Sequence, residues 1–419
     1  MVYSRNGEKK LNNALKYAYR CTDCGAEYPD DSIRYLCEKC ARDQVTGEFQ
    51  KGVLETVLDP EYLASLKDKL AVTAEDFLVY QLPDAAAYPV GNTPIVAPEI
   101  LRKKYNFPNI FLKNDSANPS GSLKDRASAL VAVQALHHNE KTVVLASTGN
   151  AGSAMACAAA ALGLKVILFV PATAPKAKLM QSVLYGATVI PIRGTYDDAF
   201  KLSIEYTRKF GGINRNTAYN PLTIEGKKTV SVEIFNQLGQ NSPDVVFVPV
   251  GDGVIYAGVY KGFADLKAAG LIDKIPQIIG VQSTGSNAIV KAFQTGKMLA
   301  IDKAVTLADS ISVASPANGR ISVKFMRACH GWATEVSDAD ISQAQLQLCK
   351  EAGVFVEPAA AAAWAGFLKD RNKLKPSQKI VILLTGLGFK DLAAVEKVVE
   401  IPEAVEPDLD SIINRRERS

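Results

Sequence analysis

The sequence predicts an α/β fold, two doubly wound parallel-sheet lobes preceded by a small ribbon, and three observations carry that prediction. Short β-branched runs alternate with alanine-rich, helically spaced segments between Val90 and Phe389. Four cysteines fall in two close pairs near the N-terminus. The length, 419 residues, exceeds what one ordinary core covers and suits two lobes with an appendage.

The ribbon comes first. Cys21-x2-Cys24 and Cys37-x2-Cys40 are separated by twelve residues, and Gly25 follows the first pair. Each pair can form a tight knuckle that points two thiolates inward. Together they supply a tetrahedral four-sulfur site for a structural Zn²⁺, with no open position for a reacting water. Four unmetallated thiols in a reduced module are the plainer alternative. A ribbon this small buries little apolar surface, so metal is expected to contribute most of its stability. The chain has seven cysteines, too few for a disulfide scaffold, and Cys157, Cys329 and Cys349 read as core.

Beyond the ribbon, strands are expected at Thr142–Ser147, Lys165–Val170, Thr188–Ile192, Asp244–Val250, Gln277–Gln282 and Lys379–Leu384. Each is followed by a glycine-rich turn or a helix, the rhythm of a parallel sheet with helices on its faces. The segment Gly152–Leu162 consists almost wholly of small residues and predicts a helix packed closely on several sides. The charged run Arg415–Arg418 reads as a solvated end.

Composition narrows the functional classes. Hydrophobic residues make up 47% and charged residues 22%, a globular mixture. A net charge of +4, from 48 basic and 44 acidic residues, is too dilute for a nucleic-acid footprint. There is no uninterrupted apolar run of about 18 residues, as a membrane span requires, and the first ten residues lack a leader pattern. A cytoplasmic enzyme of small molecules, with no nucleic-acid or membrane partner, is the expectation. The three histidines, His137, His138 and His330, support neither a triad nor a histidine metal centre, and the adjacent two are expected on a solvated helix end.

Chemistry concentrates in four loops. Asn118-Pro119-Ser120-Gly121-Ser122-Leu123-Lys124-Asp125-Arg126 sets a turn immediately before a lysine that opens an alanine-rich helix. The positive end of a helix and partial burial both favour the free amine that Schiff-base chemistry requires, although a lone lysine there is commonly a surface residue. Ser147-Thr148-Gly149-Asn150 follows a strand and opens the small-residue helix, where N–H groups can hold a carboxylate. Gly251-Asp252-Gly253-Val254-Ile255 likewise follows a strand and can cradle a phosphate, without the spacing of a dinucleotide fingerprint. Thr385 ends the last strand with a hydroxyl. Each loop alone has a plain structural explanation, and only the conjunction is specific.

That conjunction resembles the fold-type-II pyridoxal-phosphate (PLP) enzymes, and the threonine synthases among them. Asn118–Arg126 is similar to their lysine motif, Ser147–Ser153 to their substrate-carboxylate loop, and Gly91-Asn92-Thr93-Pro94 to their entry motif, with the similarity running from about residue 85 to 392. The resemblance implies that Lys124 holds the cofactor and moves protons at Cα and Cβ. It also implies that Asn150 bonds the ring hydroxyl, Gly251 to Ile255 bind the cofactor phosphate, and Thr385 faces the pyridine nitrogen. Ser147, Thr148, Gly149 and Lys178 would contact an amino-acid substrate. The implied division is a ribbon over 1–60, a large cofactor domain over 61–120 and 218–400, a small domain over 121–217, and a tail over 401–419. A homodimer is likewise implied.

Two departures from the family pattern bear on the substrate. In Asn220-Pro221-Leu222-Thr223-Ile224-Glu225-Gly226, Thr223 stands where threonine synthases carry a phosphate-reading arginine, and Thr217 and Ala218 replace an asparagine and a serine. Threonine cannot supply the bidentate charged contact of arginine. Lys176, Lys178 and Arg215 remain as sources of charge. Asp252 would repel the cofactor phosphate if it pointed inward, so it is expected to turn away while its N–H contributes. The resemblance implies conversion of O-phospho-L-homoserine and water to L-threonine and phosphate. Its rivals are β-elimination or β-replacement, as in a serine/threonine dehydratase or a phosphoserine-using synthase such as cysteate synthase, and a catalytically silent, metal-ribbon regulatory relative.

Overall fold

The computed structural model describes residues 17–30, 32–396, 399, 401, 403–409 and 412. The expected solvated run Arg415–Arg418 lies outside them. Three strands, β1 (Tyr17–Cys21), β2 (Glu27–Pro29) and β3 (Leu54–Leu58), form an antiparallel sheet in the order β2-β1-β3. The chain then lays down β4 (Ile95–Val96), β5 (Ile110–Asn114), β6 (Thr142–Ala146), β7 (Lys165–Pro171), β8 (Thr188–Ile192) and β9 (Ile213–Asn214). It continues with β10 (Val245–Pro249), β11 (Gln277–Ser283), β12 (Ala333–Val336) and β13 (Ile380–Leu384).

These ten strands make two sheets. One is four-stranded and parallel, in the order β8-β7-β6-β9. The other is six-stranded, β12-β11-β10-β13-β5-β4, and parallel except for β4 at its edge. The all-apolar strands β10 (VVFVP) and β13 (IVILL) are wholly buried, as parallel strands covered by helices on both faces must be. All six strands expected from the sequence are present within a residue or two of their expected ends, and the small-residue helix runs Asn150–Leu162.

A buried ion network ties the lobes' connections together. Arg126 Nε and Nη2 donate to Asp115 at 2.6 and 2.9 Å, and its Nη1 and Nη2 donate to Glu233 at 2.5 and 2.8 Å. Lys113 Nζ donates to the same Glu233 at 2.7 Å. The Asn92 N–H reaches Glu233 at 2.8 Å and the Thr93 hydroxyl reaches Asp115 at 2.6 Å. Gly91 has φ +82°, and a Cβ there would lie 2.7 Å from Glu233 Oε1, so only glycine brings this turn onto the carboxylate. The Gly91–Pro94 motif therefore serves packing of a neutralised charge cluster.

The ribbon packs into the body of the chain. Tyr19, Phe49, Leu54 and Leu58 belong to one continuous buried cluster with Val254, Tyr256 and Phe263. Lys261 Nζ donates to Thr56 O at 2.7 Å, and Arg320 pairs with Asp23 at 2.8 Å. Tyr35 stacks on Tyr219 at 4.6 Å and its hydroxyl accepts the Asn214 N–H at 2.9 Å. The expectation that metal would supply most of the ribbon's stability omitted this apolar burial, which contributes alongside it. Two further expectations need correction. His137 and His138 do end a helix but are half-buried, one ring 4.9 Å from Tyr80 and the other bonded to its hydroxyl at 3.4 Å. Cys157 and Cys329 are core as expected, whereas Cys349 is half-buried.

Candidate active site and ribbon metal site

Lys124 opens the helix Lys124–His137 where the chain leaves the Asn118–Leu123 turn, itself held by Leu123 N–H on Thr385 O at 2.8 Å and by a bridge between Ser122 and Gly386. The lysine thus faces the C-terminal end of β13, the side of a parallel sheet where ligands bind. From the other side comes the loop after β10. Gly253 caps the helix Val254–Ala268 at φ +91°, and a Cβ there would lie 2.4 Å from Ser322 Oγ.

These elements converge on one cavity. Lys124, Asn150, Gly251, Asp252, Gly253, Ile255 and Thr385 line it, together with Ser310, Ile311 and Glu357. Seven residues singled out from four separate loops therefore meet. Val254 is fully buried and stands just outside, its N–H taken by the Asp252 carboxylate at 3.0 Å. The Asp252 carboxylate thus caps the start of its own helix, where the helix dipole favours a negative charge.

The substrate-side expectations fare differently. Ser147, Thr148 and Gly149 do not line the cavity, and the Ser147 hydroxyl accepts the N–H groups of Gly149 and Gly152 at 3.2 and 3.1 Å, shaping the turn that presents Asn150. Lys178 pairs with Asp309 at 2.6 Å, next to the cavity residue Ser310, so it bridges the small lobe to the cavity rim. Lys176 is exposed. Thr223 is fully buried, donating to Asn220 O at 2.7 Å and accepting the Ala218 N–H at 3.1 Å, so its hydroxyl is spent inside its own loop.

Sequence reasoning missed Ser310 and Glu357. The Asn150 amide donates to both Glu357 oxygens at 3.1 and 3.0 Å, and Ser310 Oγ donates to Glu357 at 3.0 Å. Burial pushes the Glu357 carboxyl up, partly offset by those donors and by the charges of Lys390 and Lys124. A signal existed: Glu357 is a lone carboxylate in the apolar run Val354-Phe355-Val356-Glu357-Pro358-Ala359. Asp125, beside the lysine, is fully enclosed. Burial raises it to about 6 although Ser120 and Tyr88 donate to it at 2.9 Å.

The donor set fits PLP. A half-buried amine without an acidic partner, a hydroxyl ending β13, and loop N–H groups at Gly251, Asp252 and Gly253 with no protein acceptor among the described residues converge on one space. A match to the model of the pyridoxal-phosphate-dependent enzymes covers residues 86–386. The chain belongs to the pyridoxal-phosphate-dependent enzymes. Its relatives in this family include the threonine synthases of Methanosarcina acetivorans, 33% identical over 94% of this chain and 98% of that one, and of Methanocaldococcus jannaschii, 32% identical over 93% and 97%. In fold this PLP-dependent lyase is similar to maize serine racemase, with a TM-score of 0.65 and 22% identity over 86% of this chain and 98% of that one. An L-serine ammonia-lyase from Rhizomucor miehei aligns with a TM-score of 0.64 and 25% identity over 74% and 97%.

In the ribbon, the sulfurs of Cys21, Cys24, Cys37 and Cys40 all lie within 4.8 Å of one another. Cys21 to Cys40 and Cys24 to Cys37 each measure 3.8 Å between sulfurs. A tetrahedron with metal–sulfur bonds of about 2.3 Å has edges of about 3.8 Å, so the four thiols are spaced for a metal ion. No helix among the described residues is long and apolar enough to cross a membrane.

Proposed function

We propose that this enzyme converts O-phospho-L-homoserine and water to L-threonine and phosphate, with Lys124 as the cofactor-holding lysine. The observation that carries the reading is the meeting of Lys124, Asn150, the Gly251–Ile255 loop and Thr385 in one cavity, in a chain whose full-length relatives include threonine synthases. Bound there, PLP supplies an electron sink that stabilises negative charge on carbons next to the amino group. Lys124 provides the amine that takes and returns protons at Cα and Cβ of the amino acid. The loop N–H groups at Gly251 to Gly253 hold the cofactor phosphate. Thr385 offers the ring nitrogen a neutral hydroxyl, and Asn150, with Glu357 and Ser310 behind it, orients the ring hydroxyl side. Ser147 to Gly149 receive the substrate carboxylate at the start of the helix Asn150–Leu162, and Lys178, released from Asp309, supplies charge at the rim. The ribbon thiols hold a structural Zn²⁺, checked by metal content per chain in wild type and Cys24→Ser.

A second reading, a serine or threonine dehydratase, is favoured by one observation: Thr223 presents no charge and its hydroxyl is already bonded within its loop. Parallel incubation with O-phospho-L-homoserine, O-phospho-L-serine, L-threonine and L-serine separates the two. Equal amounts of phosphate and threonine from the first substrate support the synthase. Ammonia and a 2-oxoacid from threonine or serine, with phosphohomoserine untouched, would replace it with the dehydratase.

A further inference from the structure

Among the described residues, two fully enclosed basic side chains beside the active site lack a carboxylate partner. Arg215 donates from Nη1 to Thr217 Oγ1 at 2.8 Å and from Nε to Ser128 Oγ at 3.4 Å, while its Nη2 meets no acceptor. Lys227 Nζ has one protein acceptor, the Thr223 carbonyl oxygen at 2.9 Å. Among the described residues neither forms a salt bridge, although every other fully buried lysine or arginine does: Lys113, Arg126 and Lys228 each pair with a carboxylate. Burial lowers Arg215 to about 10 and pushes Lys227 well below its ordinary value. An isolated buried charge costs several kcal/mol, a cost that an arriving anion offsets by holding both groups in their protonated form.

Their placement says which anion. Ser128 lies one helical turn beyond Lys124 on the same face, so the Arg215 guanidinium sits behind the lysine. Arg215 itself follows β9, its N–H on Val144 O of β6, the strand that leads into the Ser147–Asn150 loop. Lys227 packs on Gly258, where a Cβ would fall 2.7 Å from the Lys227 Cβ, one turn beyond Val254 on the helix that carries the phosphate loop. Lys227 feels the charges of Lys124, Arg215 and Asp252. The pair thus lies where the small lobe, bearing Arg215, meets the large lobe, bearing Lys227, between the first turns of the two cofactor-presenting helices.

We propose that Arg215 and Lys227 are the subsite for the distal dianion of the substrate, the phosphate of a short amino-acid phosphomonoester, in place of an arginine at position 223. The inference rests on the phosphate-ester reading above and names the residues that enforce it. Neither side chain lines the cavity, so the assignment requires the two helix starts to give way for the anion when substrate binds. There the free Nη2 and the Lys227 ammonium donate charge-assisted hydrogen bonds to phosphate oxygens, and Thr217 adds a hydroxyl.

The test titrates cofactor-loaded wild type, Arg215→Met, Lys227→Met and Arg215→Lys by calorimetry. The probes are 2-amino-5-phosphonopentanoate, a non-hydrolysable phosphonate isostere, and norvaline, which lacks the anion. Wild type is expected to prefer the phosphonate, and each Met variant to lose about 10- to 100-fold for it with norvaline and PLP affinities unchanged. Arg215→Lys is expected to recover part of the loss, which a merely structural role would not produce. Met variants that bind the phosphonate like wild type would overturn the assignment alone. Loss of PLP affinity with phosphonate preference intact would assign the cations to the cofactor phosphate and likewise overturn it. A wild type with no preference for phosphonate over norvaline would overturn both the assignment and the phosphate-ester reading.

Discussion

Arg126 and Arg215 are both fully enclosed, yet the fold treats them in opposite ways. Arg126 meets two carboxylates, Asp115 and Glu233, through four donor contacts and the hydroxyls of Thr93 and Thr229 through two more, and Lys113 completes a neutral set of two cations and two anions. Among the described residues Arg215 donates to two hydroxyls and leaves one nitrogen bare. Burial depth is the same, so depth alone does not distinguish a structural charge from a functional one. Satisfaction does. The first cluster fastens Gly91–Pro94 and two helices together, and its partners are all protein; the second is complete only with something the protein does not contain.

The largest effect that would sharpen this contrast is on stability. Glu233→Gln leaves Arg126 and Lys113 underpaired and is expected to destabilise the chain by about 3–5 kcal/mol in denaturant unfolding. A loss under about 1 kcal/mol would remove the structural role assigned to the cluster. Next comes acid sensitivity. Burial alone would raise the Glu233 carboxyl, but Arg126 and Lys113 outweigh it and hold it at about 2, against an ordinary 4.5. A depressed carboxyl contributes stability that is present above pH 4.5 and lost as pH falls toward 2, so wild type should lose its advantage over Glu233→Gln across that window. Asp125 has the opposite sign. Raised to about 6 from 3.8, it contributes stability below pH 3.8 that is lost as pH rises through 6, and Asp125→Asn should flatten that part of the curve. The smallest expected effect completes the comparison: Arg215→Met removes an unsatisfied charge and should stay within about 1 kcal/mol of wild type or gain stability. A loss as large as that of Glu233→Gln would mean Arg215 is held by the fold after all.

Much of this was legible in the sequence because local chemistry and tertiary role agree. Five of the six expected strands are β-branched runs largely buried on both faces, the edge strand β8 being the more exposed one, and Lys124, Asn150 and the Gly251–Ile255 loop sit at strand ends where turn residues mark them. The strand β5 escaped notice because Lys113 and Asn114 interrupt its apolar run, and the reason for Lys113 is an ion pair 120 positions away. The edge strands β4 and β9, of two residues each, carry no pattern at all. Glu357 reaches the cavity through a bridge between Val356 and Leu387 and through its own N–H on Gly386 O at 2.9 Å, long-range pairings that spacing does not encode. The missing partners of Arg215 and Lys227 were illegible for the same reason, since satisfaction is a property of the packed interior.

The most direct test of the central claim fixes the cofactor to the protein with borohydride and maps the modified peptide by mass spectrometry. The account predicts one modified residue, Lys124, and no visible absorbance band in Lys124→Ala. A cofactor found on Lys227, or on no lysine, would contradict it.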